Sequence, residues 1–277
     1  MTSTVIDTRL EELRAQGYTI VRKALAGDMV AQGLQLIEDL HAQHEFIEFA
    51  GGTLVPYLCH KSAWFVRPFE QPVLEEIFKR VLNDPDYGTI PSEQPNYIIG
   101  ELAARSNGPG GLKLHYDCTR ALTGPKALQL TAAIALEDRD EAQGCTIMIP
   151  GSHLDGQEHS DPSLDPERAV SVPLRAGDAL IWDARIKHGA HPRRSQEKGW
   201  LLIAGLQLWA LKQRSDLTTA LPERIYRRLT PKQKALLGFC SIPPYDTSGA
   251  PYMGGVHLSN KGYEYLDGLK RDQWPRL

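Results

Sequence analysis

Residues 110–120 read GGLKLHYDCTR and set a histidine and a carboxylate two positions apart, His115 and Asp117. In an extended strand that spacing puts both side chains on one face, with Tyr116 on the other. A carboxylate and an imidazole buried together are costly unless something pairs them, and a divalent cation is one such partner. Farther along, WDARIKHGAHPRR supplies His188 and His191 at the end of a strand-like run. Two histidines and one carboxylate hold one face of a divalent metal and leave its other positions open to small ligands. On spacing alone the third ligand is either His188 or His191. A second reading stays open beside it, in which His115 is a core histidine hydrogen-bonded to Asp117.

Such a set needs strands to carry it. From about residue 95 to 211, short apolar runs alternate with Gly/Pro turns: NYIIGELAA, LKLHYD, ALQLTAAIALED, CTIMIPG, AVSVPL, DALIWDARIKHG and WLLIAGLQLWAL. Close-set strands of this kind predict an antiparallel sandwich or jelly roll. The first third reads as mostly helical. DTRLEELRAQG is a short amphipathic helix ended by Gly17, followed by the apolar strand YTIVRKAL. Val30, Leu34, Ile37 and Leu40 recur at helical spacing, as do Val73, Ile77, Phe78 and Val81 in a segment opening on Pro72. After the β-region, DLTTALPERIYRRLTPKQKALLG reads as two short helices split at Pro231, and a Gly/Pro/aromatic loop follows. No repeat or linker divides the chain, so residues 1–277 are expected to form one α+β domain, a β-core flanked by helices.

Composition narrows the function classes. The chain has 277 residues, 42% hydrophobic and 23% charged, with a net charge of −3. With no basic stripe, nucleic acid is not an expected partner. No apolar run is long enough to span a bilayer, and the start, MTSTVIDTRLEELRAQG, is charged where a signal peptide needs an apolar core. Cys59, Cys118, Cys145 and Cys240 are scattered without a CxxC pair, which argues against a zinc ribbon and for a reducing, cytoplasmic setting.

Between HxD and the distal histidines lies GCTIMIPGSHLDG (144–156), and then LRAGDALIWDARIKHGAHP. With these elements in this order, the sequence resembles the phytanoyl-CoA dioxygenase family of Fe(II)/2-oxoglutarate oxygenases. The shared features are His115/Asp117, the PGSH segment, the Gly177–Asp178 turn and the HG pair at His188–Gly189; GPKALQLTAAIALED is also similar to that family's strand leading into an acidic turn. The resemblance covers about residues 15–260. It implies a double-stranded β-helix, the jelly-roll core, with Fe(II) at one open end held by His115, Asp117 and His188. His188 is preferred over His191 because the family's ligand is followed directly by glycine, and His153 of PGSH becomes a structural residue of its turn. It further implies 2-oxoglutarate and O2 as cosubstrates, with succinate and CO2 as co-products. Hydroxylation, desaturation or ring closure at an unactivated C–H would be the outcome. Related halogenases replace the carboxylate with a small residue, so Asp117 argues against halogenation.

Two positions depart from the family pattern. An arginine about eleven residues past the distal histidine usually clamps the far carboxylate of 2-oxoglutarate; here that position is Gly199. Its bidentate fork is missing from the expected place. Lys198 would replace it only through a one-residue slip of the strand, with Arg194, Lys61 and Tyr97 as further cosubstrate candidates. The second departure is Ala133, where relatives often carry Trp, which predicts more room beside the iron. Tyr57, Trp64, Phe65, Arg105 and Tyr245, with Ala133, are expected to line the substrate pocket, such pockets being largely apolar with few polar groups. The Gly/Pro-rich loop at 245–256 reads as a lid, and Tyr116 as a core residue. The substrate expected is a small specialised metabolite; oligomeric state is not legible. Two other functions remain open: a metal enzyme of the same fold that does not use 2-oxoglutarate, motivated by Gly199, and a non-catalytic binding protein.

Overall fold

A computed structural model describes residues 3–87, 90–118, 124, 126–155, 166–196, 198–218 and 220–241. In chain order, helix α1 (Ser3–Gln16) leads into strand β1 (Tyr18–Val21), helix α2 (Gly27–Ala42) and a hairpin of β2 (Ile47–Phe49) and β3 (Gly52–Val55). Helix α3 (Leu58–Lys61), a 3-10 segment (Ala63–Glu70) and helix α4 (Pro72–Leu82) precede β4 (Ile98–Asn107), β5 (Leu112–His115), β6 (Gln129–Ala135) and β7 (Thr146–Met148). Then come β8 (Val170–Val172), β9 (Ala179–Asp183), β10 (His188–Ala190), β11 (Leu201–Gln207) and the short helices α5 (Glu223–Tyr226) and α6 (Pro231–Leu236).

The strands form two antiparallel sheets, one ordered β1-β9-β6-β11-β4-β3-β2 and one ordered β5-β10-β7-β8. This is the jelly-roll arrangement expected from the strand-and-turn pattern. The period of two along each strand divides the apolar residues between two cores. On β6, Leu130, Ala132 and Ile134 face the helical layer and join Ile37, Leu74, Ile77 and Phe78. Ala133 and Ala135 face the other way and pack with Leu180, Trp182, Leu201, Met148 and Val172 between the sheets. Removing these side chains from water is the main driving force, about 1.5–3 kcal/mol for each fully buried Leu, Ile or Phe. The inter-sheet core fills only part of the space between the sheets; the rest is a cavity.

The hairpin at 47–55 is absent from the sequence reading, although FIEFAGGTLV alternates around a glycine pair. Its two-residue loop, Ala50–Gly51, has φ of +45° and +74°, the left-handed pair that matches the twist of a tight hairpin. The scattered cysteines are buried, and desolvation pushes the Cys59 thiol up to about 12. No described helix is long and apolar enough to cross a membrane.

Candidate metal centre and active-site cavity

Strand β5 ends at His115, and β10 begins at His188, which stands opposite it in the antiparallel register. Asp117 lies in the bend beyond β5, where its backbone N–H donates to Ala184 O at 3.1 Å. His115, Asp117 and His188 each offer one ligand atom, and the three atoms lie within 4.8 Å of one another. His188 Nε2 is 3.5 Å and His115 Nε2 3.7 Å from Asp117 Oδ1.

The surroundings set the direction of each group. His115 Nδ1 lies 2.9 Å from Lys113 O and His188 Nδ1 lies 3.1 Å from Ile186 O. A carbonyl accepts only, so each Nδ1 carries a proton, which leaves each Nε2 as the atom that would take a metal ion once it is unprotonated. The other carboxylate oxygen of Asp117, Oδ2, accepts from Thr131 Oγ1 at 2.5 Å and from Trp182 Nε1 at 2.9 Å. Oδ1 is thereby left facing the two histidines. This donor set, with its outer hydrogen bonds in place, suits a divalent transition ion. Burial opposes the charged form of Asp117, but His188, through charge and a hydrogen bond, and Thr131 outweigh it and hold the carboxyl below its usual range. Burial likewise works against a charged His188, and Asp117 reverses that, raising its proton affinity. For His115 burial wins and, with the neighbouring His188, lowers it.

The triad opens into a cavity of about 690 Å³ between the sheets. Its wall on the larger sheet is the inward face of β4 and β11: Glu101, Ala103 and Arg105 beside Gly205, Ile203 and Leu201, paired in that order. Thr146 and Ala190 line it from the smaller sheet, and Ile47, Phe49, Leu54, Pro56 and Tyr57 form an apolar lip on the hairpin side. Arg214 lines the cavity near the triad, 3.7 Å from Glu101, and donates to Asp117 O at 3.2 Å. Burial raises the Glu101 carboxyl, and Arg214 offsets part of that.

Of the residues expected in the pocket, Tyr57 and Arg105 line this cavity. Trp64 and Phe65 sit in the buried 3-10 segment, where Trp64 Nε1 donates to Gln32 at 2.7 Å, and they belong to the helix-side core. Ala133 faces the inter-sheet space but is fully buried among Leu180 and Leu201, so its small side chain is filled by packing and adds no room beside the triad. Tyr116, expected in the core, lines the cavity, because β5 ends one residue before it and the strand alternation lapses. Tyr245 and the 245–256 loop lie outside the described residues.

The expected cosubstrate cations are elsewhere. Lys198 precedes β11 and points to α2, with its ammonium 3.1 Å from both Glu38 and His41. Lys61 pairs with Glu45 at 2.5 Å, and Tyr97 packs edge to face against Phe78 in the core. Arg194 is not among the cavity-lining residues; its backbone N–H donates to Ala142 O. Gly199 has φ +60°, and its carbonyl accepts from the buried Arg139. His191 is bonded to Ser171 at 2.8 Å, away from the triad, and His153 bonds Arg14 O at 3.2 Å in the turn after Pro150. Thr131, Trp182, Glu101 and Arg214 were not singled out by the sequence reading. Only the pairing register of β6, β9, β4 and β11 brings the first three together.

Three comparisons bear on this arrangement. The family model described as Phytanoyl-CoA dioxygenase (PhyH) matches residues 13–198. A curated relative, "Dioxygenase af480" of Aspergillus fumigatus, is 23% identical over 205 residues, covering 71% of this chain and 66% of its own, just under two thirds of its length. Among solved structures, the epimerase SnoN in complex with Fe3+, alpha ketoglutarate and nogalamycin RO aligns with a TM-score of 0.62 at 21% identity, covering 75% of this chain and 85% of its own. HygX from Streptomyces hygroscopicus, with nickel, 2-oxoglutarate and hygromycin B bound, aligns with a TM-score of 0.62 at 16% identity over 80% of this chain and 94% of its own. At such identities the structural likenesses speak to the jelly-roll fold.

Proposed function

The chain belongs to the phytanoyl-CoA dioxygenase family, and from that premise we propose that it is an Fe(II)- and 2-oxoglutarate-dependent oxygenase acting on a bulky, largely apolar small molecule. The single observation that carries the reading is the convergence of His115 Nε2, His188 Nε2 and Asp117 Oδ1 at the head of a 690 Å³ cavity. His115, His188 and Asp117 would hold the ion on one face. Bound iron supplies open positions for a 2-oxo acid and O2, and the redox chemistry between them.

The chain's own residues supply aim and shelter. Lys113 O and Ile186 O fix both imidazoles in the tautomer that ligates, and Thr131 and Trp182 hold Asp117 so that one oxygen faces inward. Ala103, Ile203, Leu201 and Ala190 give an apolar wall that excludes water. The exposed Ile47, Phe49 and Tyr57 on the lip, 48–56% accessible, fit a substrate that carries apolar surface out of the cavity. Glu101 and Arg214 supply the polar contacts that orient it. The likenesses to SnoN, in complex with nogalamycin RO, and HygX, with hygromycin B bound, support a specialised metabolite as substrate. Hydroxylation is the reading for the outcome, with desaturation or ring closure as variants of it.

The test is aerobic turnover with Fe(II), ascorbate and 2-oxoglutarate, scored as succinate formed, against a panel of polycyclic apolar metabolites. A panel member that stimulates succinate formation, with the stimulation lost in His188→Ala and Asp117→Ala, is the expected result. Succinate formation that persists in both variants would overturn the assignment of the triad.

A further inference from the structure

Arg105 presents a guanidinium to the cavity with little to neutralise it. It sits on β4 directly opposite Leu201 of β11, is 8% exposed and lines the cavity wall. Its hydrogen bonds go to neutral groups: Nε to Asn107 Oδ1 at 3.0 Å, Nη1 to Phe49 O at 3.3 Å and Nη2 to Ala50 O at 2.8 Å. Among the described residues no carboxylate comes within ion-pair distance, and two of its five N–H donors are left over. A buried cation without a counter-charge is costly and marks a place where an anion is expected to bind.

The position of this guanidinium fits a dicarboxylate. Asn107, bonded to Arg105, donates to Gly144 O at 2.9 Å, which places the pair at the Thr146 and Ala190 end of the smaller sheet. Ala190 is two residues along β10 from His188, about 6.6 Å at 3.3 Å per residue. The cavity therefore has the triad at one end and a buried, underused fork at the other, with apolar Leu201, Leu112 and Ala190 between.

We propose that Arg105 receives the far carboxylate of 2-oxoglutarate, a guanidinium supplied from β4 in place of the arginine that the resemblance puts at Gly199. This rests on the oxygenase reading above. Arg105 thereby also explains how the chain can do without Lys198, Arg194 and Lys61, whose side chains or positions lie off the cavity.

Arg105 also bonds the carbonyls of the hairpin loop, so its removal has a structural effect that must be separated from a binding effect. The experiment compares two 2-oxo acids on anaerobic Fe(II)-loaded protein: 2-oxoglutarate, and 2-oxobutyrate, which lacks the far carboxylate. Affinities are read from the visible absorption that develops on chelation. Losing one partner of a buried charge pair costs at least about 2 kcal/mol, a factor of about 30. The expectation for Arg105→Gln is therefore a 2-oxoglutarate Kd raised at least about 30-fold, with 2-oxobutyrate and Fe(II) binding unchanged. Equal loss of both acids, or 2-oxoglutarate affinity within about twofold of the wild type, would overturn the proposal. Should Arg105→Gln not fold, Arg105→Lys keeps a cation and loses only the fork; the same selective weakening, about tenfold, is expected, and its absence is fatal. If the wild type binds neither acid, the oxygenase reading itself falls, an outcome distinct from failure of the clamp alone.

Discussion

Thr131 Oγ1 donates to Asp117 Oδ2 at 2.5 Å, joining the inward face of β6 to the bend that follows β5. Trp182 donates to the same oxygen, so the Asp117 carboxylate is turned by two side chains from neighbouring strands.

Removing the hydroxyl should loosen the ligand without dismantling the site. Thr131→Val keeps the volume and the strand preference, and Trp182 still holds Asp117 Oδ2. Outer hydrogen-bond partners of metal ligands typically contribute 10–100-fold in metal affinity. The expected result is an Fe(II) dissociation constant about 10-fold or more above wild type with an unchanged far-ultraviolet spectrum. Unaltered iron affinity would mean that Thr131 does not position the carboxylate.

Gly33 of α2 faces Trp64, and a Cβ there would meet the ring at 2.7 Å and Leu136 at 3.1 Å. Glycine inside a helix ordinarily costs about 1 kcal/mol relative to alanine. Here the ring is buried and its N–H is bonded to Gln32, so it has little room to retreat. Overpacking costs about 1–3 kcal/mol and should win. Gly33→Ala is predicted to lower the Tm by about 2 °C or more; a rise would show that the ring yields.

Acid should find His153. Its Nε2 bonds Arg14 O, while Nδ1 is buried without a partner among the described residues. Protonating Nδ1 would bury an unpaired N–H in a charged ring, and burial accordingly lowers the pKa from 6.5. As pH falls below about 6.5 the unfolded chain takes up this proton first, so stability is lost from there down to the lowered folded value. One such group contributes a slope of at most about 1.4 kcal/mol per pH unit. Urea denaturation between pH 7.5 and 5 should show a shallower decline for His153→Gln than for wild type; parallel curves would contradict this.

Iron should stabilise the fold through the same three residues. With free Fe(II) at about 100 times its dissociation constant, binding adds about 2.7 kcal/mol. The wild-type Tm is expected to rise on anaerobic Fe(II) addition and to fall back with a chelator. Asp117→Ala should show neither shift. A rise of the same size in Asp117→Ala would place the ion elsewhere.

His115 and Asp117 were legible because they lie two residues apart, whereas the distant His188 was chosen over His191 only through the resemblance, by the glycine that follows it. His115 ends β5 and Asp117 follows in the bend beyond it, and His188 is followed by Gly189. The strands were legible as short apolar runs between Gly/Pro turns. What escaped depends on register and on the ends of elements. Lys198 was judged by its distance from His188, but β11 begins only at Leu201, and Glu38 and His41 on α2 draw the ammonium to the helical side. Trp64 and Phe65 have the chemistry of a pocket and the burial of a core. Thr131 and Trp182 meet Asp117 only because β6 and β9 pair in one register. The hairpin carried its own signal in AGG between alternating residues, and with it would have come the lip and the carbonyls that hold Arg105.

The central claim is that His115, Asp117 and His188 hold Fe(II) with open positions that a 2-oxo acid occupies. Anaerobic titration of metal-free protein with Fe(II), then with 2-oxoglutarate, tests it most directly. The expected result is a weak visible metal-to-ligand charge-transfer band that saturates with 2-oxoglutarate and is missing in Asp117→Ala. Iron that binds at the triad yet develops no band at saturating 2-oxoglutarate would contradict it, and would leave a metal enzyme of this fold with another cosubstrate.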